Sequence, residues 1–188
     1  MNADKTVVGL TGMPGAGKSL VLVETAHELG YDVVVMGDVI REETAKRGLE
    51  LNPKTVGAVM LELRTQHGNN VIAEMCIEKI KQKKSPLVVV EGIRSLHEVN
   101  VFKTHFPRFT LMAIHASPET RFKRLSNRGR SDDPKTWDVF HERDMRELSV
   151  GIGSAIAMAQ YMIINESSQE VAKTKVKESL KEIEEKWK

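Results

Sequence analysis

"GLTGMPGAGKSL" (residues 9–20) places three glycines, Gly12, Gly15 and Gly17, within six residues and follows them with Lys18 and Ser19. The apolar run TVVGL (residues 6–10) precedes it. A simple turn needs one or two glycines. Three, followed by a cation and a hydroxyl, suit a backbone that lies close against something negative, because glycine takes positive φ and leaves its N–H groups unobstructed. The helical pattern KSLVLVETAHELG (residues 18–30) comes next, so the positive end of a helix would face the same anion.

Working outward, TVVGL reads as a short buried strand. Leu22, Val23, Ala26 and Leu29 recur at helical spacing, and Gly30 suits the helix stop. YDVVVMG (residues 31–37), SPLVVVEG (residues 85–92), FTLMAIHA (residues 109–116) and AQYMIIN (residues 159–165) give four more strands. Continuous β-branched runs indicate strands buried on both faces, as in a parallel sheet. Helical patterns separate them. Ser117-Pro118 is a helix start, Asp133-Pro134 has the same form, and Ser167-x-x-Glu170 is a capping-box pattern. The last helix carries the stripe Ala172, Val176, Leu180, Ile183 and Trp187. The expected class is α/β with a five-stranded parallel sheet.

Some 48 residues (38–85) separate the second and third strands, too many for a simple crossover. Two helical patterns occupy that stretch, the first through Val56, Val59, Met60 and Leu63. The expected organisation is a single domain over 1–188, with a core at 1–40 and 85–188 and a helical insertion at about 41–84.

The 188 residues are 40% apolar and 29% charged, ordinary values for a globular domain. Twenty-eight basic and 26 acidic residues leave a formal charge of +2, which gives no argument for nucleic-acid binding. The single cysteine, Cys76, allows no internal disulfide and fits a reducing compartment. The start, MNADKTVV, lacks the apolar segment of a signal peptide. Aliphatic runs such as Leu87–Val90 fall far short of the ~20 residues of a membrane span. A cytoplasmic protein without membrane contact is expected. Its six histidines show no metal-ligand spacing.

Gly12-x-x-x-x-Gly17-Lys18-Ser19 matches the P-loop pattern, with a strand before it and a helix after it. The cradle comprises Gly12, Met13, Pro14, Gly15, Ala16 and Gly17, with Pro14, which has no N–H, at the outer bend. Lys18 would reach the β- and γ-phosphates of ATP, and the Ser19 hydroxyl would hold Mg²⁺. A GTPase would want an Asn-Lys-x-Asp guanine motif, which the chain lacks.

Three further stretches favour a small-molecule kinase. MGDVIREE (residues 36–43) follows the second strand, where ligands of open α/β sheets bind, and offers Asp38 and Arg41 to an acceptor. VVVEGIRS (residues 88–95) ends a strand on Glu91, placed to orient Mg²⁺ through water, and Arg94 follows at the mouth of the site. RFKRLSNRGRSDDP (residues 121–134) concentrates Arg121, Lys123, Arg124, Arg128 and Arg130 before a breaker-rich turn. That suits a lid, at about 126–134, that brings positive charge to a transferring phosphoryl group. Arg143 and Arg146 would complete the clamp.

Assembled, these stretches make the chain resemble the nucleotide-kinase branch of P-loop proteins, which includes adenylate kinase and dephospho-CoA kinase. GMPGAGKS, GDVIRE and EGIRS are similar to the adenylate-kinase loop, its Gly-Asp-x-x-Arg acceptor motif and its Asp-Gly-x-x-Arg motif. Glu91 stands where adenylate kinase has Asp, and Ile93 where it has an aromatic. The short lid and AQYMIINESS (residues 159–168) resemble the dephospho-CoA kinase end, with Gln160 in place of Asp. Over nearly the whole chain, including RDMRELSVGIG (residues 143–153), the resemblance is to an archaeal group of predicted nucleotide kinases of unassigned substrate. It implies a P-loop NTP hydrolase fold with an acceptor-binding insertion and a lid. It also implies ATP, Mg²⁺, and Asn165, Glu166 and Ser167 bordering the adenine.

The expected reaction is transfer of the γ-phosphoryl of Mg-ATP to a small nucleotide-like acceptor held by Asp38, Arg41 and Arg94. Lys18, Arg94, Arg124, Arg128 and Arg130 would supply charge. A phosphate acceptor needs no general base; a hydroxyl acceptor would use Asp38. The alternative is an ATP-hydrolysing switch or assembly factor acting on a macromolecular partner. The residues leave the acceptor and the oligomeric state open.

Overall fold

A computed structural model describes residues 5–129 and 133–187. β1 (Thr6–Thr11) runs into the glycine loop. A π-helical turn, Lys18–Val23, follows and continues as α1 (Glu24–Glu28). Then come β2 (Asp32–Val35), α2 (Met36–Lys46), α3 (Pro53–His67), α4 (Val71–Gln82), β3 (Leu87–Glu91), α5 (Leu96–His105) and β4 (Arg108–His115). The chain closes with α6 (Pro118–Arg128), α7 (Trp137–Ser149), α8 (Ile152–Ala157), β5 (Tyr161–Ile164) and α9 (Gln169–Lys186).

The five strands are parallel, in the order β2-β3-β1-β4-β5. The apolar runs explain the burial. Along β3, Val88 and Val90 face a core shared with α2, α3, α4 and α5, while Val89 faces the opposite core. That second core holds Leu22 and Ala26 beside Ala172, Val176, Leu180 and Ile183 of α9. Strands buried on both faces need apolar residues at every position, which is why their runs are continuous. No helix among the described residues is long and apolar enough to cross a membrane.

Register places the site. Leu10 of β1 pairs with Glu91 of β3, so the carboxylate arrives at the sheet edge where the glycine loop begins. Gly92 and Ile93 donate backbone N–H groups to the Leu10 carbonyl at 3.3 and 3.2 Å, and the Thr11 hydroxyl donates to the Ile93 carbonyl at 2.9 Å. The loop and the EGIRS segment are therefore one locked unit.

Several boundaries differ from the sequence expectation. β2 stops at Val35, and Met36-Gly37 already belong to α2. Met36 is buried, so core packing continues through the first helical turn. Asp133-Pro134 does not start a helix. Thr136 caps α7, its side chain accepting from the Val139 amide, because Asp133 is taken up by an ion pair with Arg128. Ser168, not Ser167, caps α9 and accepts from the Val171 amide. Ser117 caps α6 as expected, with Pro118 at the first turn. In the stretch 41–84, Val59, Leu63, Ile72, Cys76 and Ile80 pack into the same core as Val88 and Val90, so α3 and α4 are part of the wall of the domain.

Candidate functional site

The loop between β1 and the π-helical turn is built on positive-φ glycines. Gly12 has φ 145°, and a Cβ there would lie 2.3 Å from the Ile114 carbonyl oxygen of β4. Gly17 has φ 96°, and a Cβ there would lie 2.4 Å from Nδ2 of Asn165. No other residue type fits this close passage between loop and sheet. Met13 and Ala16 are buried and anchor the loop from behind. Asn165 is buried too. Its Nδ2 donates to the Ala16 carbonyl at 2.8 Å, and its own carbonyl accepts from Arg124 Nη2 at 2.9 Å.

Lys18 curls back over the loop, and its Nζ donates to the Gly12 and Met13 carbonyls at 2.5 and 3.2 Å. Burial lowers its pKa to about 8, against the pull of Glu91, which raises it. The Ser19 hydroxyl donates to Glu91 Oε1 at 2.9 Å, across 72 residues of sequence. Two oxygens, one hydroxyl and one carboxylate, thus sit together beside the loop. Hard oxygen donors of this kind, leaving room for water and phosphate oxygens, fit Mg²⁺. The glycine cradle, the cation and this oxygen pair fit a Mg-bound triphosphate.

These groups line one cleft of about 1700 Å³. Gly12, Pro14, Gly15, Gly17, Lys18, Ser19 and Glu91 form one end. Asp38, Arg41 and Arg94 line it further along. Arg124, Arg128, Arg143 and Asn165 border it as well. Asp38 and Arg41, one turn apart on α2, are ion-paired to each other. Arg94 reaches Glu147 of α7 at 3.4 Å.

Other candidates are placed differently. Arg121 is not a clamp residue. It is 4% exposed, with Nη1 and Nη2 on the two oxygens of Asp144 at 2.8 and 2.6 Å. It also donates to the carbonyls of Ala116 and Pro14 at 3.1 and 3.2 Å and lies over the Phe140 ring. It is a strut between α6, α7 and the loop. Arg128 is paired with Asp133 at 2.5 Å. Glu166 accepts from the Ser117 amide and from the Thr120 hydroxyl, and those donors hold its carboxyl below the usual range. Its carboxylate is thereby committed to the start of α6. Gln160 spends its side-chain oxygen on the Leu111 amide at 2.7 Å. Arg130, and with it residues 130–132 of the lid expected at about 126–134, lie outside the described residues.

The sequence reading missed Arg64 and Glu98, both of which line the cleft. Glu98 is 3% exposed; its Oε2 accepts from the Arg94 amide at 2.7 Å, and burial raises its pKa above the usual range. A signal for Arg64 existed: it stands one turn beyond Met60, on the apolar stripe of α3, where a charge is out of pattern.

A family profile described as an AAA domain matches residues 11–141. A UPF0200 protein of Methanocaldococcus jannaschii is 50% identical over 179 residues, covering 94% of this chain and 90% of the relative. Another, of Thermococcus gammatolerans, is 47% identical over 181 residues, covering 94% and 95%. A shikimate kinase from Bacteroides thetaiotaomicron superposes with a TM-score of 0.61 at 16% identity, covering 95% of this chain and 98% of that one. A gluconokinase from Sinorhizobium meliloti gives 0.58 at 13% identity, covering 98% and 96%. At such identities the likeness is one of fold, the P-loop kinase-like sheet described above. The chain belongs to the UPF0200 family of archaeal proteins, and its residues 11–141 belong to the AAA domain family.

Proposed function

We propose that this protein is an ATP-dependent phosphotransferase that moves the γ-phosphoryl group of Mg-ATP to a small nucleotide-like acceptor. The observation that carries the reading is the single cleft of about 1700 Å³. A site for one small ligand takes ~300–1000 Å³. This one has room for two, with a phosphate cradle at one end and Asp38, Arg41 and Arg94 beyond it.

Backbone N–H groups within residues 12–19, that of Pro14 being absent, and the first helical turn hold the donor's phosphates. Lys18 exchanges its loop carbonyls for the β- and γ-oxygens. Mg²⁺, held by the Ser19 hydroxyl and through water by Glu91, would neutralise charge on those oxygens. Arg41 and Arg94 orient an anionic acceptor, and Arg124 and Arg128 add positive charge along the path. Such transfer needs little covalent help from the protein, so placement and charge carry it. A phosphate acceptor attacks as the anion it already is. A hydroxyl acceptor gives its proton to Asp38, which must first part from Arg41.

The test is incubation with γ-labelled ATP and a panel of nucleoside monophosphates and dephospho-CoA. Label should pass to at least one member, and Lys18→Met should abolish the transfer. Release of inorganic phosphate alone, stimulated by a macromolecule and by no member of the panel, would instead identify a nucleotide-driven switch.

A further inference from the structure

Helix α3 packs Val59 and Leu63 into the core, with Val56 and Met60 against its edge. Arg64 follows Met60 by one turn and is carried inward with it. Its side chain is 24% exposed, less than half the exposure of Arg41 at 50% or Arg94 at 52%. All three line the same cleft. A guanidinium has five N–H donors and cannot lose its charge. The ion partner the structure gives Arg64 is Glu98, whose Oε1 lies 3.5 Å from Nη2, the outer limit of a hydrogen bond. Nε is buried with no hydrogen-bond partner, the one side-chain nitrogen or oxygen in that state among the described residues.

Glu98 explains why the pairing is poor. Its other oxygen is committed to the Arg94 amide at 2.7 Å, in the segment locked to β1. Glu98, in the first turn of α5, is therefore tied to the segment that follows β3 and meets Arg64 only at the limit of hydrogen-bond distance. Leaving buried donors unmade is costly, and the cost is recovered when an acceptor of matching geometry arrives. Planar or tetrahedral oxyanions match a guanidinium in bidentate fashion.

We propose, building on the donor–acceptor reading of the cleft, that the acceptor carries an oxyanion, a phosphate or a carboxylate, and that Arg64 grips it from α3, with Glu98 as the residue that positions the guanidinium. Arg64 is then the specificity-determining cation of the site. An uncharged acceptor would leave Arg64 with only its marginal Glu98 contact, and sites built around such a group reject the analogue that lacks the partner.

The test reads the arginine itself. Protein saturated with a non-hydrolysable Mg-ATP analogue, so that the loop is filled, is titrated with inorganic phosphate and separately with acetate. Arginine Nε–H resonances are followed by nuclear magnetic resonance, and Arg64→Lys identifies the Arg64 signal by its loss. One of the two anions should shift that signal at millimolar concentration, and the one that does names the oxyanion. Arg64→Lys should weaken binding of that anion about 10- to 100-fold, as loss of a charge-assisted bidentate contact implies. Glu98→Gln should displace the Arg64 signal before any anion is added and weaken binding less. A melting curve like that of the parent shows that each variant is folded, and Arg64→Lys keeps the charge and stem for that purpose. An Arg64 signal unmoved by both anions at tens of millimolar overturns the proposal. With any acceptor found by labelled transfer, Arg64→Lys should raise its KM and leave the KM of ATP unchanged. Transfer with an unchanged acceptor KM sinks Arg64 and leaves the phosphotransferase standing. An anion-responsive Arg64 without transfer to any acceptor does the reverse.

Discussion

In the proposed function Lys18 is the residue on which phosphate binding turns, and its surroundings give it a titration within reach of experiment. The ammonium sits over the loop on two carbonyls, and burial lowers its pKa from 10.5 to about 8. The charged form is the one that faces phosphate. At pH 7 such a lysine is about 90% protonated, and at pH 9 about 10%. A bound triphosphate draws the proton back, so binding near pH 8 takes up protons. Affinity for Mg-ATP should fall up to ~10-fold between pH 7 and pH 9. Calorimetry in buffers of different ionisation enthalpy should register the uptake. Lys18→Met should bind weakly with a flat profile over that range; a parent profile that is equally flat counts against the assignment. The same shift acts on folding with the opposite sense. Between about pH 8 and 10.5 the unfolded chain holds a proton that the folded chain has released, so the stability cost of burying Lys18 is full below 8 and fades as pH rises.

Among elements, the joint between α6, α7 and the glycine loop is the one with concentrated energy. Arg121 and Asp144, with side chains 5% and 11% exposed, form a bidentate pair, and Arg121 extends to the Pro14 carbonyl of the loop. Removing one partner of a buried pair strands the other charge and costs about 3–5 kcal/mol. Arg121→Met should therefore lower the melting temperature by roughly 6–20 °C, at ~2–4 °C per kcal/mol for a chain of this size. Arg121→Met with Asp144→Leu should recover much of that loss, because no charge is left stranded. Scanning calorimetry on the three proteins decides it, and a single variant as stable as the parent would show that the strut carries little load. The pair also explains why neighbouring arginines on one helix differ. Arg124, one turn on, keeps to the cleft, with Nη2 on the Asn165 carbonyl.

For the whole molecule, the sheet edge gathers the ends of β1 and β3 and the start of α2 around one cleft, so ligands there bind only the folded chain. A ligand at 100 times its dissociation constant adds about 2.7 kcal/mol of stability. A non-hydrolysable Mg-ATP analogue at that level should raise the melting temperature by roughly 5–10 °C. Under the proposed phosphotransfer, the acceptor should add a further rise on top of it, since the cleft has room for both. Lys18→Met should lose most of the nucleotide-dependent rise while keeping the acceptor-dependent part.

What the sequence determined by itself is what short spacing encodes. Gly12, Gly15 and Gly17 dictate a loop that only positive φ permits. The β-branched runs dictate strands covered on both sides, and Ser117-Pro118 dictates where α6 begins, because a cap and its amide lie three residues apart. Glu91 was legible because an acid ending an apolar strand has one place to go. What only the tertiary structure decided is which charges meet. Arg121 and Arg124 share one helix and one composition, yet Asp144, 23 residues on, takes the first into the interior. Asp133 has the form of a helix cap and becomes instead the partner of Arg128, so that Thr136 caps α7. Arg64 lies 34 residues from Glu98, and no local pattern announces that they line the same cleft. Backbone geometry answers to neighbours along the chain, while electrostatic partnership answers to distance in space, which exists only once the elements have packed.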